Sequence, residues 1–231
     1  MEPLTLAIPT GRLFAETVGL LRSLGLLREP ARERSLVLPA ADDLQILIAK
    51  PVDLLTYIEH GAADAGIVGK DLLLEEGRDI YELVDLGFGA CRGVVALPEG
   101  QQERLWQPGR WLRIATKYPR ITAGFFEQQR RPVELIELHG SVEVAPRVGL
   151  ADGIVDLVMT GRTLRENLLV EVAEVFRSTA RLAVNRVSLR IKAGPMQGLI
   201  ERLEHASQGW VEASGRRSCT SREGSGGRRR T

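Results

Sequence analysis

Eight short runs rich in Ile, Leu and Val recur along the chain, at residues 4–8, 44–49, 65–68, 94–97, 113–116, 133–138, 154–160 and 181–185. They show little polar alternation, so strands formed from them must be covered on both faces. Between them, apolar residues recur at helical spacing, at Leu13, Val18, Leu21 and Leu24 and then within residues 52–59, 119–129 and 164–169. Strands interleaved with helices predict an α/β fold on parallel sheets. A last helix is expected with Pro195 in its first turn and Met196, Leu199, Ile200 and Leu203 on one face.

With 231 residues the chain has room for one or two domains. A polar stretch at 98–112, punctuated by Pro98, Gly100, Pro108 and Gly109, precedes a fresh strand-helix series and suggests a boundary between two α/β lobes. Residues 213–231 carry almost nothing apolar and are expected to form a disordered basic tail. The tail contributes +5 to a net charge of +1, which leaves the body mildly acidic and argues against a nucleic-acid binder. No apolar run reaches the roughly 20 residues of a membrane helix, and the start lacks a signal-peptide pattern, so a cytoplasmic protein is expected. Two cysteines, Cys91 and Cys219, make neither a disulfide framework nor a four-ligand zinc site. No metal cage of protein ligands is evident.

The segment richest in chemistry runs over residues 143–164, where an apolar strand containing Asp156 leads through Thr160-Gly161-Arg162-Thr163 into a helix. Free N–H groups at a helix start, a glycine that admits close backbone approach, and two hydroxyls suit a phosphate. Asp156 beside them could accept hydrogen bonds from vicinal sugar hydroxyls, so the set suits a ribose 5-phosphate. The same letters also fit a capping box, with Thr163 as N-cap and Glu166 three residues on, and Asp156 could equally hold a strand-end turn.

The spacing of Glu143, Gly149, Ala151, Ile154, Asp156, Thr160-Gly161 and Thr163-Leu164 resembles the signature of the ATP phosphoribosyltransferase family, which opens histidine biosynthesis. Further stretches resemble that family in order: Ala7-Ile8-Pro9-Thr10-Gly11-Arg12, Ile48-Ala49-Lys50-Pro51-Val52-Asp53, the run from Tyr57 to Asp71, Arg113-Ile114-Ala115-Thr116-Lys117-Tyr118-Pro119 and Gly140-Ser141-Val142-Glu143. Only residues beyond about 212 fall outside the likeness.

The resemblance implies an α/β fold of two lobes, periplasmic-binding-protein-like (type II), with the active site in the inter-lobe cleft. Lobe one would combine residues 1–92 with 178–212, and lobe two would be the inserted 93–177. It implies that N1 of the ATP adenine attacks C1 of phosphoribosyl pyrophosphate with loss of pyrophosphate, and that Mg²⁺ is required, bound mainly through substrate phosphates. Adenine N1 already carries a lone pair, so no strong base is needed and electrostatic stabilisation of the departing pyrophosphate should dominate. Arg12 and Lys50 are the candidate catalytic cations; a solvated helix-start residue and a strand-end charge are their bland alternatives. Glu143, Asp156, Thr160, Gly161, Arg162 and Thr163 are the candidates for phosphoribosyl pyrophosphate, and Thr116, Lys117 and Tyr118 for ATP. Glu143 could instead only stabilise a helix dipole. Lys70-Asp71 reads as a surface ion pair.

Two positions depart from the family's usual letters, Thr10 where Lys is frequent and His139 where Asn is. His139 reads as a turn histidine, and His60 and His205 as exposed helix residues. The folded sequence ends near residue 212, without the additional regulatory domain of long-form members, which implies a short form. A homodimer and a separate regulatory subunit resembling histidyl-tRNA synthetase are the expected partners. A two-lobed small-molecule binding protein without catalysis is the alternative, because the same fold serves solute receptors.

Overall fold

The computed structural model describes residues 3–219 apart from 29, 30, 35, 42 and 108, with side chains described up to 208. In chain order its strands and helices are β1 (Leu4–Pro9), α1 (Phe14–Ser23), β2 (Val37–Pro39), β3 (Leu44–Ala49), α2 (Pro51–Glu59), β4 (Ala65–Gly69), α3 (Lys70–Glu76), β5 (Tyr81–Asp85), β6 (Cys91–Pro98), β7 (Leu112–Thr116), α4 (Pro119–Gln128), β8 (Val133–Glu137), β9 (Gly153–Val158), α5 (Arg162–Glu166), β10 (Leu169–Ser178), β11 (Ala180–Val184), α6 (Ser188–Ile191) and α7 (Ala193–Cys219). They form two compact units, one of residues 1–68, 79–89 and 180–231, the other of residues 69–78 and 90–179.

The first unit is built on a six-stranded sheet in the order β2-β3-β1-β4-β11-β5. β3, β1 and β4 run parallel, whereas β2 and β5 pair antiparallel with β3 and β11. Leu6, Ile8, Ile46 and Ile67 pack with Leu20 and Leu21 of α1 and with Met196, Leu199, Ile200 and Leu203 of α7, the face expected from the sequence. Two polar side chains tie the ends of this layer. Asp64 accepts from the Thr5 N–H, Ser188 Oγ and Lys192 Nζ at 2.8, 2.7 and 2.8 Å, and Asn185 Nδ2 donates to the Ile58 carbonyl at 2.7 Å. A buried carboxylate without such donors would be costly, so Asp64 is a structural anchor.

The second unit carries a five-stranded sheet in the order β10-β6-β9-β7-β8, in which β8, β7 and β9 are parallel and β6 is antiparallel to both β9 and β10. Alternate residues of β6 serve its two faces: Val94 and Ala96 join Ala115, Ile154, Val158 and Leu164, while Val95 and Leu97 join Leu105, Ile114, Phe126 and Val155. The sheets are therefore mixed rather than wholly parallel. An antiparallel strand covered on both faces gives the same unbroken apolar run as a parallel one, so β6 could not be told apart by its letters.

The stretch at 98–112 does not divide the chain. It lies within the second unit, where Leu105 is wholly buried in a 3₁₀ turn, Gln102–Trp106. The final helix also continues past residue 212, to Cys219, because a helix already nucleated and anchored at Met196 to Leu203 adds turns at little cost. Of the expected disordered tail, residues 213–219 are thus helical and 220–231 lie outside the described residues.

Candidate functional site

In the second unit the parallel strands β7 and β8 end side by side, against β9, which runs three residues further. Thr116 of β7 pairs with Val155 of β9 and with Glu137 of β8. The residues that follow those ends are therefore neighbours: Lys117 after β7, Asp156 on β9, and, beyond β8, the 3₁₀ turn Val142–Val144 that carries Glu143. Ligand groups gather outside the carboxyl ends of parallel strands for this topological reason. A cavity of about 300 Å³ opens here, walled by Glu143, Asp156, Thr160, Gly161, Arg162 and Thr163 together with apolar groups such as Ile154 and Met159. All six residues assigned by sequence to the ribosyl donor line it.

Asp156 is largely shielded from solvent. Burial pushes its carboxyl above the usual range; Lys117, with Nζ 3.9 Å from Oδ2, and the Leu157 N–H, 2.8 Å from Oδ1, pull it down, and the Glu143 charge adds a smaller upward push. An ionised Asp156 is thus incompletely compensated, and hydroxyl donors would lower its energy.

The loop before α5 departs from the capping-box alternative. The helix begins at Arg162, Gly161 is its N-cap with φ of +71°, and no side chain caps it. Thr163 lies inside the first turn, with an exposed side chain, and Glu166 accepts from Arg162 Nε at 2.7 Å instead of reaching back to a backbone N–H. Arg162 is thereby engaged along the outside of the helix. A cation that sequence reasoning missed, Arg165, brings Nη1 to 3.3 Å from where a Cβ on Gly161 would sit. Its position four residues after Gly161, one helical turn on, was the available signal.

The three residues assigned to ATP separate. Thr116 is wholly buried, and its Oγ1 accepts from the Tyr118 N–H at 2.9 Å and from the Thr122 hydroxyl at 3.3 Å. Tyr118 is buried too, edge-on to Phe176 with ring centroids 5.6 Å apart and its hydroxyl 3.3 Å from Asp71 Oδ2. Both side chains are thus engaged in the interior, and Lys117 between them brings Nζ to 3.9 Å from Asp156 Oδ2. Asp71 does not lie at the surface: it is 4% exposed and accepts from Ser178 Oγ at 2.6 Å.

In the first unit, Thr10-Gly11-Arg12 and Lys50 follow the ends of the adjacent parallel strands β1 and β3, where Pro9 pairs with Ala49 and the Thr10 N–H donates to the Ala49 carbonyl at 2.9 Å. Arg12 donates to the Gly89 carbonyl at 2.6 Å, and Lys50 is the exposed N-cap of α2. His60, His139 and His205 are exposed. Among the described residues no three His, Cys, Asp or Glu side chains converge to hold a metal ion.

A family model described as ATP phosphoribosyltransferase matches residues 50–205. The chain is 51% identical over 216 residues to the ATP phosphoribosyltransferase of Moorella thermoacetica, covering 88% of this chain and 93% of that protein. It belongs to the ATP phosphoribosyltransferase family. The protein of the same name from Symbiobacterium thermophilum is 49% identical over 208 residues, covering 88% and 94%. Among solved structures, that of an ATP phosphoribosyl transferase (HisG:HisZ) complex from Thermotoga maritima is 35% identical with a TM-score of 0.76, covering 89% of this chain and 98% of that one. The substrate-binding protein of an amino acid ABC transporter matches at a TM-score of 0.56 and 13% identity, covering 92% and 94%, a likeness of fold alone. The two-lobed, periplasmic-binding-protein-like (type II) class read from the sequence is the fold of this chain. Its reaction is the transfer of phosphoribosyl from phosphoribosyl pyrophosphate to N1 of ATP with release of pyrophosphate, the first step of histidine biosynthesis. A binding protein without catalysis is not favoured, since the receptor-like matches share little sequence. The enzymes of this family depend on a metal, and among the described residues no helix is long and apolar enough to cross a membrane.

Proposed function

We propose that the cavity of the second unit is the phosphoribosyl pyrophosphate site of this transferase. Asp156 accepts hydrogen bonds from the ribose hydroxyls, and the backbone and hydroxyls of Thr160 to Thr163 take the 5-phosphate. Glu143 closes the same wall. The observation that carries this reading is that two acids, a glycine loop and two hydroxyl residues, separated by up to 20 positions in sequence, line one cavity of about 300 Å³. Lys117 contributes positive charge to the substrates, and Arg12 and Lys50 are the cations assigned to the pyrophosphate that departs. Since adenine N1 needs no deprotonation, fixed charge and orientation are what the chain supplies.

The metal is Mg²⁺, carried mainly by substrate phosphates. The carboxylates beside the cavity are hard oxygen donors of the kind it accepts, and a phosphate-borne ion asks for no dedicated protein cage. When bound it neutralises charge on the phosphate oxygens. The chain works in the cytoplasm as a homodimer joined by a separate regulatory subunit similar to histidyl-tRNA synthetase; the Thermotoga maritima relative is a HisG:HisZ complex, which supports a two-component assembly. The test is to mix the protein with ATP, phosphoribosyl pyrophosphate and Mg²⁺ and to follow the absorbance of N1-ribosylated adenine. Product formation that is lost in Asp156→Asn supports the assignment, whereas undiminished turnover in that variant refutes it.

A further inference from the structure

The residues surrounding Lys117 are held unusually firmly for a strand-to-helix turn. The preceding Thr116 and the following Tyr118 are both buried, and a hydrogen bond from the Tyr118 N–H to Thr116 Oγ1 joins them across the lysine. Thr122 of α4 strengthens the turn by donating its hydroxyl to the same oxygen and its N–H to the Tyr118 carbonyl at 3.0 Å. The Tyr118 phenol is fixed at both ends: the ring meets Phe176 of β10 edge-on, and the hydroxyl donates to Asp71 Oδ2. Asp71 is itself fixed. Its other oxygen accepts from Ser178 Oγ at 2.6 Å and its N–H donates to that same hydroxyl at 3.0 Å.

We infer that Asp71, acting through Tyr118, is a positioning residue that fixes the turn carrying Lys117 and so holds this cation opposite Asp156. The inference rests on the reading of the adjacent cavity as the ribosyl-donor site. With the backbone on either side of Lys117 immobilised, the ammonium has only its own rotamers to explore, and its 3.9 Å approach to Asp156 is retained. Lys117 is also the charge that most opposes the upward push of burial on the Asp156 carboxyl. A turn free to shift would leave that carboxylate beside Glu143 without its counter-ion, and donor binding would weaken although no residue lining the cavity had changed.

The test is a double-mutant cycle on affinity for phosphoribosyl pyrophosphate, measured by calorimetry in the presence of Mg²⁺, so that turnover is not needed. The four proteins are the wild type, Tyr118→Phe, Lys117→Ala and the double variant, each checked for folding by its thermal midpoint. Tyr118→Phe removes only the hydroxyl that reaches Asp71 and keeps the ring on Phe176. We expect Lys117→Ala to raise Kd about tenfold, Tyr118→Phe to raise it at least threefold, and the double variant to match Lys117→Ala within twofold. Unchanged affinity in Tyr118→Phe, or additive effects in the double variant, would overturn the positioning role. Unchanged affinity in Lys117→Ala would also overturn it, since the lysine would then have no share in the donor site; the reading of the cavity itself is decided separately, by loss of donor affinity in Asp156→Asn.

Discussion

Gly161→Ala should separate the phosphate loop from the rest of the fold. Gly161 has φ of +71°, a left-handed conformation that costs an L-residue about 1–2 kcal/mol. The added methyl itself finds room, since its nearest neighbour is the end of the flexible Arg165 side chain at 3.3 Å. Backbone strain is then the whole structural effect, and in a chain of this size it lowers the thermal midpoint by about 2–4 °C per kcal/mol. Gly100 provides the control. It has φ of +79° with nothing within 4 Å of its Cβ position, it lies in the same unit, and it is not among the residues lining the cavity. Gly100→Ala should therefore lose similar stability.

The two variants should differ when ligand is added. Relief of the strain at residue 161 rotates the peptide groups that face the phosphate, and each charge-assisted hydrogen bond lost there is worth about 1.5–3 kcal/mol, or a tenfold to hundredfold rise in Kd. With phosphoribosyl pyrophosphate held at 100 times the wild-type Kd, the wild type and Gly100→Ala gain about 2.7 kcal/mol, whereas a tenfold weaker site gains only about 1.4. Thermal unfolding with and without ligand reads both quantities in one experiment. Equal ligand-induced stabilisation of the two variants would refute the assignment of the loop to the phosphate.

Asp156→Asn should bind the donor poorly yet be at least as stable as the wild type near neutrality. The wild-type carboxyl is raised by burial, so its cost is absent below the ordinary value of 3.8, where both folded and unfolded forms are neutral. That cost grows as pH rises through the folded-state value. Thermal midpoints of the two proteins compared from pH 4 to 8 check this, and a wild type more stable than the variant at pH 7 contradicts it. Leu203→Ala, at a wholly buried position of α7, should cost about 2–5 kcal/mol in urea unfolding. Deletion of residues 213–231, a stretch with almost nothing apolar to bury, should leave the unfolding midpoint unchanged. Histidine should inhibit the assembled complex but leave the purified chain unaffected; inhibition of the chain alone would place a regulatory site within these 231 residues.

What could be read from the sequence follows from which interactions are local. The eight apolar runs are all strands; burial on two faces marks every residue of β4, whereas β3 alternates and β8, at a sheet edge with no residue fully buried, was legible from Val133, Leu135 and Ile136. β10 left no such mark: its pairing with β6 shifts register between Glu171 and Ala173 and again between Glu174 and Phe176, and each shift breaks the period-two alternation. β2, with three residues, and β5, with only Val84 buried, are too short or too exposed to register. The same distinction governs the site. Thr160 follows Asp156 by only four positions, so strand, loop and helix start are close together in the letters, and even Glu143 is only 13 residues from Asp156.

The burial of Thr116 and Tyr118 was illegible for the converse reason, because a hydroxyl and an aromatic ring flanking a lysine have the chemistry to bind a nucleotide, and nothing nearby reveals that both side chains lie in the interior. The decisive partner of Tyr118 is Asp71, 47 residues away, and that of Asp71 is Ser178, 107 residues away. A Lys-Asp pair opening a helix therefore reads as solvated charge until the sheet brings β10 alongside. Long-range satisfaction of a buried carboxylate is invisible in a single sequence, although it decides where the neighbouring cation can stand.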